Sequence, residues 1–294
     1  MKLVRFDDDK LGVIDGDEVI DISDSVCGTS AGRLQAYIEA LAVGKISGAD
    51  IEGGNRTRHA LADITIRNPL PLPPKIIAAP VNYLDHQVEM KYAHTVADLG
   101  IFLKARTSTI GPLENVVLPY SDQRFDQEAE LAVIIGKTAN NVTPDEAKDI
   151  IFGYSCLFDM SMRSTEDRST RKSFDTFTPV GPWIVSADEI ADPAALHMQC
   201  WVNGELRQDT SLADLIFDVP LLISYASSIM TLEPGDIIAT GTPAGVGPLS
   251  DGDTVSMEIT NIGRLEVGVT STGSIPYNRR PGAQFYPELA QSRA

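Results

Sequence analysis

Residues 126–137 read DQEAELAVIIGK, and this stretch limits the fold more tightly than any other. Successive side chains of a strand point to opposite faces. Asp126, Glu128 and Glu130 therefore fall on one face, with Phe125, Ala129, Leu131, Val133 and Ile135 on the other. From Leu131 to Ile135 every position is apolar, the pattern of a strand covered on both sides. Three carboxylates in a row repel one another, so a strand that begins this way calls for positive charge beside it. A solvent-facing acidic strand is the ordinary alternative, and the apolar continuation counts against it.

A second acid sits in similar company. Residues 152–163, FGYSCLFDMSMR, are apolar and aromatic around a lone Asp159. An unpaired buried carboxylate costs several kcal/mol, whereas a turn or capping Asp costs nothing of the kind. Two Glu at i and i+2 and an Asp from another element together suit a hard octahedral cation. Oxygen ligands without Cys or an obligatory His point to Mg²⁺ or Mn²⁺, with positions left open for water and substrate.

The whole chain narrows the partners. Lys plus Arg number 24 against 41 Asp plus Glu, a formal charge of −17 over 294 residues. That balance excludes a basic nucleic-acid footprint, and an anionic membrane surface would repel it. An anionic substrate would need a local cation to draw it in. Cys27, Cys156 and Cys200 form no CxxC or pairing pattern, which fits a reducing compartment. The opening MKLVRFDDDK has no apolar core of a secretory signal, and no run is apolar enough to span a bilayer. The expectation is a cytoplasmic enzyme-sized protein that binds neither nucleic acid nor membrane.

Turn and periodicity signals divide the chain. Residues 1–23 alternate β-rich runs with Asp-Gly turns, and 31–44 carry helical spacing at Leu34, Tyr37, Ile38 and Leu41. RNPLPLPPK at 67–75 is a stiff proline-rich joint, which predicts a small N-terminal α+β domain over 1–70 and a larger one over 74–294. Beyond the joint lie many short strands, with helices expected at about 84–97, 143–151 and 218–230. Thr143-Pro144-Asp145-Glu146 reads as a capping box. The fold class is α+β, mostly β, a sandwich or roll.

Seven segments occur in an order that resembles the fumarylacetoacetate hydrolase family: NYLDHQVEM (82–90), FLKA (102–105), DQEAELAVIIGK (126–137), FGYSCLFDMSMR (152–163), KSFDTFTPVGPWIV (172–185), VNGELRQD (202–209) and LEPGDIIATGTPAGVG (232–247). The resemblance spans roughly 74–272. It implies a β-sandwich roll around a metal site, assembled as a homodimer, with Glu128, Glu130 and Asp159 as ligands. Asp126 is expected beside the site on a basic group. Substrates of such enzymes are small anionic keto acids. The implied metal polarises a carbonyl and stabilises the enolate left when a C–C bond breaks.

The same resemblance assigns further roles. Lys172 would face a carbonyl or oxyanion, and Arg163 would meet the substrate carboxylate, unless it serves only a structural salt bridge. Thr242 and Tyr83 would bind substrate. His86 and Glu89 lie at i and i+3 on one helical face. In hydrolytic relatives the matching pair sits on a lid, His as general base and Glu orienting it. Glycines in TGTPAGVG would let backbone N–H groups approach the substrate.

Departures from the pattern cluster around the pocket. Ala105 follows Lys104 where proline is common, Glu166 stands where glutamine is common, and the stretch between Asp159 and Lys172 is short. The leading reading is a divalent-metal hydrolase that cleaves a C–C bond in an acylpyruvate or related 1,3-diketo acid. The alternatives are a β-keto acid (oxaloacetate-type) decarboxylase or oxo-dienoate isomerase on the same site, and a non-catalytic metal-stabilised binding protein.

Overall fold

A computed structural model describes residues 1–47, 56–91 and 93–282. The chain begins as an antiparallel meander, β1 (Lys2–Phe6), β2 (Lys10–Asp15) and β3 (Glu18–Asp21), then α1 (Arg33–Ala42) and β4 (Arg58–Ala60). After the proline-rich joint come β5 (Ile76–Ala78), α2 (Leu84–Met90), α3 (Val96–Leu99) and β6 (Phe102–Lys104). Next are β7 (Thr109–Ile110), β8 (Asn115–Val117), β9 (Phe125–Gln127) and β10 (Ala129–Ile135). A short α4 (Pro144–Ala147) leads into β11 (Ile151–Phe158), β12 (Ser161–Met162), α5 (Arg168–Arg171) and β13 (Thr178–Ser186). The last third holds β14 (His197–Val202), β15 (Glu205–Ser211), α6 (Val219–Ile229), β16 (Ile237–Ala239), β17 (Gly247–Pro248), β18 (Thr254–Ile259) and β19 (Gly263–Thr270).

The described residues form three sheets, in keeping with a mostly-β α+β reading. The largest has eleven strands, in the order β4-β3-β2-β1-β13-β11-β10-β16-β5-β6, with β7 beside β13. A five-stranded sheet runs β15-β14-β18-β19-β8, and a three-stranded one β12-β9-β17. The N-terminal meander continues the large sheet: β1 pairs antiparallel with β13 through Lys2 with Val185 and Leu3 with Ile184. The proline-rich joint therefore crosses no gap in the sheet.

Strand β10 explains its own sequence. All seven of its residues are buried. Ala129, Leu131, Val133 and Ile135 enter the core shared with the five-stranded sheet, while Ala132 and Ile134 enter a second core with Leu34, Tyr37 and Ile38 of α1. The N-terminal segment thus covers the back of the strand that carries the acids. Fully burying the Leu, Val and Ile side chains among them stabilises by about 1.5–3 kcal/mol each.

The expected helix over 84–97 is two pieces. It ends at Lys91, whose φ of 52° is left-handed and cannot continue an α-helix, and α3 starts afresh with a capping box at Thr95. The helix expected over 143–151 is one α-turn followed by a 3₁₀ turn at Lys148–Ile150. Its capping box forms as read, with Glu146 Oε2 accepting from the Thr143 N–H at 2.8 Å. Among the described residues no helix is long and apolar enough to cross a membrane.

Candidate active site

The chain breaks its strand at Glu128, between β9 and β10, so β9 joins the small sheet and β10 the large one. Glu128 and Glu130 both reach a cavity of about 480 Å³, and Asp159 joins them from the loop after β11. One carboxylate oxygen from each lies within 4.8 Å of the others. All three residues are buried. This hard-oxygen donor set fits a divalent cation such as Mg²⁺ or Mn²⁺.

The positive charge that the acids call for is supplied in part by the chain itself. Lys172 Nζ donates to Glu128 Oε2 at 2.6 Å and to Asp159 Oδ2 at 2.5 Å. Lys104 Nζ donates to Asp159 Oδ1 and, at 2.9 Å, to the Phe177 carbonyl. Arg163 Nε donates to Asp126 Oδ2 at 2.6 Å, and its Nη2 lies 2.8 Å from Glu128 Oε1. Ser161 Oγ also donates to Glu128 Oε1, at 3.0 Å. Glu130 is treated differently. It accepts the Gly241 N–H at 2.7 Å and has no ion-pair partner among the described residues.

These surroundings pull the two glutamates apart. Burial alone would raise the Glu128 carboxyl, but Lys172 and Arg163 outweigh it and hold it well below the usual carboxylate range. Burial, and then repulsion from Asp159, push Glu130 well above that range. Burial pushes the Lys104 ammonium down, with Asp159 opposing. Glu130 is the member of the cluster that a bound cation would relieve.

A lid-like wall faces the cluster. His86 on α2 lines the cavity, and its Nδ1 lies 3.0 Å from Glu89 Oε2. The other Glu89 oxygen accepts the Gly245 N–H at 2.9 Å. The glycine-rich loop after β16 thus sends its amides to Glu130 and Glu89, not to open space. Gly241 has φ of 94°, and a Cβ there would stand 2.7 Å from the Asn82 Cβ. Glycine alone suits that position.

Most of the residues singled out by sequence meet here. Glu128, Glu130, Asp159, Lys172, His86, Arg163 and Thr242 all line the cavity. Thr242 is buried and its Oγ1 accepts from Gln208 Nε2 at 2.7 Å. Tyr83, expected to bind substrate, does not line it. Its ring is fully buried in the main core, because the residue before α2 turns inward against β-bridged Leu215. Arg163, expected on the substrate carboxylate, is committed to Asp126 and Glu128. Asp126 lies beside the site on basic groups, bound by Arg124 at 2.7 Å as well as by Arg163. Glu166 pairs with Arg280 at 2.5 Å through one of its carboxylate oxygens.

Sequence reasoning missed Lys104, Ser161, Arg168 and Arg171. A lysine inside the apolar strand GIFLKA was the signal for Lys104. Nothing comparable marked the arginines, which lie on the four-residue α5.

Comparison with known proteins returns a consistent set. The model for "Fumarylacetoacetate (FAA) hydrolase C-terminal" matches residues 75–270. A maleylpyruvate hydrolase of Aquipseudomonas alcaligenes is 41% identical over 286 residues, covering 92% of this chain and 100% of that protein. The crystal structure of maleylpyruvate hydrolase from Sphingobium sp. SYK-6, in complex with manganese(II) ion and pyruvate, is similar with a TM-score of 0.80 at 42% identity, covering 92% of this chain and 99% of the other. A 2-hydroxyhepta-2,4-diene-1,7-dioate isomerase from Mycobacterium marinum is similar with a TM-score of 0.72 at 32% identity, covering 92% and 98%.

Proposed function

We propose a reaction from one premise: this chain belongs to the fumarylacetoacetate hydrolase family. The reading is hydrolysis of the C–C bond in an acylpyruvate, the chemistry that the name of its maleylpyruvate hydrolase relative states. The observation that supports it best is His86 on the wall of the same cavity as the acidic cluster, with the Glu89 carboxylate 3.0 Å from its Nδ1. A decarboxylase or isomerase needs an electron sink but no activated water.

Glu128, Glu130 and Asp159 would hold a divalent cation, Mn²⁺ or Mg²⁺, which supplies Lewis-acid polarisation of the substrate's oxygens. Glu89 engages His86 Nδ1, which leaves Nε2 to take a proton from water. The resulting hydroxide adds to the acyl carbonyl carbon. The bond from that carbon to the methylene then breaks, and its electron pair passes into the enolate of pyruvate. The imidazolium returns its proton to the methylene carbon, giving pyruvate, and the acyl fragment leaves as a carboxylic acid that ionises. Lys172 spends two of its three N–H donors on Glu128 and Asp159, and the third serves the enolate oxygen. A well-placed donor of this kind is worth about 3–4 kcal/mol. Arg163 positions Glu128, and Thr242 serves a substrate oxygen.

Three coarser features complete the reading. The three cysteines are free thiols, which supports a cytoplasmic location. Assembly is as a homodimer, and the chain divides into sequence units 1–70 and 74–294. The test is turnover of acetylpyruvate, maleylpyruvate, oxaloacetate and an unsaturated oxo-diacid with Mn²⁺ or Mg²⁺, followed through enol absorbance. Hydrolysis of an acylpyruvate is expected. Turnover of oxaloacetate or the oxo-diacid with no acylpyruvate cleavage would replace this reading with the decarboxylase or isomerase.

A further inference from the structure

Beyond β19 the chain returns to the segment that walls the cavity. Ile275 is bonded to the 119–122 stretch on both sides of itself. Its N–H donates to the Pro119 carbonyl at 3.1 Å, and its carbonyl accepts the Ser121 N–H at 3.0 Å. Two residues on, the Tyr277 N–H donates to Asp122 Oδ1 at 2.7 Å and opens a 3₁₀ turn, Tyr277–Arg279. Arg280 then donates through Nη1 to Glu166 Oε1 at 2.5 Å and to the Tyr277 hydroxyl at 3.2 Å. Its guanidinium also lies 5.7 Å from the centre of the Tyr277 ring.

This return fastens the wall at two points. Ser164, Thr165, Arg168 and Arg171 line the cavity, and Glu166 lies among them in the chain. Past Lys172, the Phe174 ring meets the Tyr120 ring edge-on at 5.7 Å, and Tyr120 meets Tyr277 at 5.0 Å. The wall's ends are tied to the floor, Arg163 to Asp126 and Glu128, Lys172 to Glu128 and Asp159. Between those ends, Glu166 with Arg280 is the only ion pair that residues 164–171 make among the described residues. The four-residue α5 is too short to fix its own position. A glutamine, common at position 166 in the family, would carry no charge for Arg280 to hold.

We propose that Arg280 is a positioning residue: through Glu166 it straps residues 164–171 to the body of the fold, and so sets how tightly the cavity takes its substrate. Neither Arg280 nor its partners Glu166 and Tyr277 line the cavity, so the effect passes through the wall. A partly exposed ion pair adds little to global stability. A group misplaced by about 1 Å in a site can nonetheless cost about 10²-fold in rate. The inference rests on the acylpyruvate reading for its substrate and adds a residue which that reading does not use.

The test compares Arg280→Met, Arg280→Lys, Glu166→Met and the two methionine changes together with the wild type, on acetylpyruvate with Mn²⁺. For Arg280→Met, kcat/KM should fall about 10-fold, mostly through KM, while the melting temperature moves by about 3 °C or less. Arg280→Lys should recover most of the loss, since the contact with Glu166 is a single Nη1 bond that an ammonium can supply. Adding Glu166→Met to Arg280→Met should deepen the loss no further, as expected of two members of one pair. Hydrogen exchange should show the amides of 163–172 about 2- to 5-fold faster in Arg280→Met. Any of three results would sink the positioning role: kcat/KM within about twofold of the wild type, a loss through kcat alone with a falling melting temperature, or additive losses from the two methionine changes. Exchange needs no turnover, so the two readings part. Faster exchange in a protein whose wild type cleaves no acylpyruvate keeps the strap and removes the reaction. Cleavage with exchange and KM both unchanged keeps the reaction and removes the strap.

Discussion

At the floor of the cavity, Glu128, Asp159, Lys104 and Lys172 arrive from four segments, are all buried, and are bound to one another. On its walls, Arg168 and Arg171 share one helical turn and, among the described residues, have no carboxylate at ion-pair distance, while His86 rides with Glu89 on a seven-residue helix whose outer residues Leu84 and Val88 are exposed. The floor is a closed set of charges in which each member is necessary to its neighbours. The walls carry groups that no such interlocked set ties in. Stability should therefore depend on the floor, and rate and selectivity on the walls.

Four substitutions press on that contrast, beginning with the largest effect. His86→Ala should lower kcat for acylpyruvate hydrolysis about 10²- to 10⁴-fold, the usual worth of a positioned base, while the thermal midpoint barely moves. Hydrolysis at the wild-type rate would remove the wall's catalytic part. Lys104→Met leaves Asp159 one cation short in a buried site, and urea denaturation should show about 3–5 kcal/mol of lost stability. A loss under about 1 kcal/mol would mean that the floor is not interlocked. Gly241→Ala forces a side chain into a left-handed backbone against Asn82, and should cost about 1–3 kcal/mol in the same assay. Weakened Mn²⁺ binding by calorimetry should accompany it, because the Gly241 amide fixes Glu130. Unchanged affinity would deny the loop that role. Thr143→Ala, far from both regions, removes one cap and should cost about 1 kcal/mol without touching kinetics. A kinetic change there would show that the two regions are not separable from the rest of the fold.

What the sequence disclosed follows the same division. The acids on β9 and β10 were legible because strand alternation and an apolar run are local patterns, and the covering of both faces follows from composition alone. Of the cations that answer them, Lys172 and Arg163 were marked only by the family motif, and the others were not legible. Lys104 reaches Asp159 across 55 positions of chain, and Arg280 reaches Glu166 across 114, distances over which periodicity carries no information. Helix α5 has four residues, too few to show a repeat, so Arg168 and Arg171 read as part of a polar loop. The break in the expected 84–97 helix falls at a lysine, with neither Gly nor Pro at that position to signal it. Tyr83 stands off the cavity lining for a related reason: its motif marks it as near the site, while the direction of one side chain is set by tertiary packing.

The divided carboxylate of Glu89 has a consequence for timing. One oxygen steadies the imidazole and the other is fastened to the loop that also secures Glu130. Should α2 swing outward to admit a ligand, that fastening breaks, and the carboxylate that travels with the imidazole loses the orientation the loop had set. Sealing the chamber and arming its base then become a single event, so a half-shut chamber would hold a ligand without yet being able to cut it.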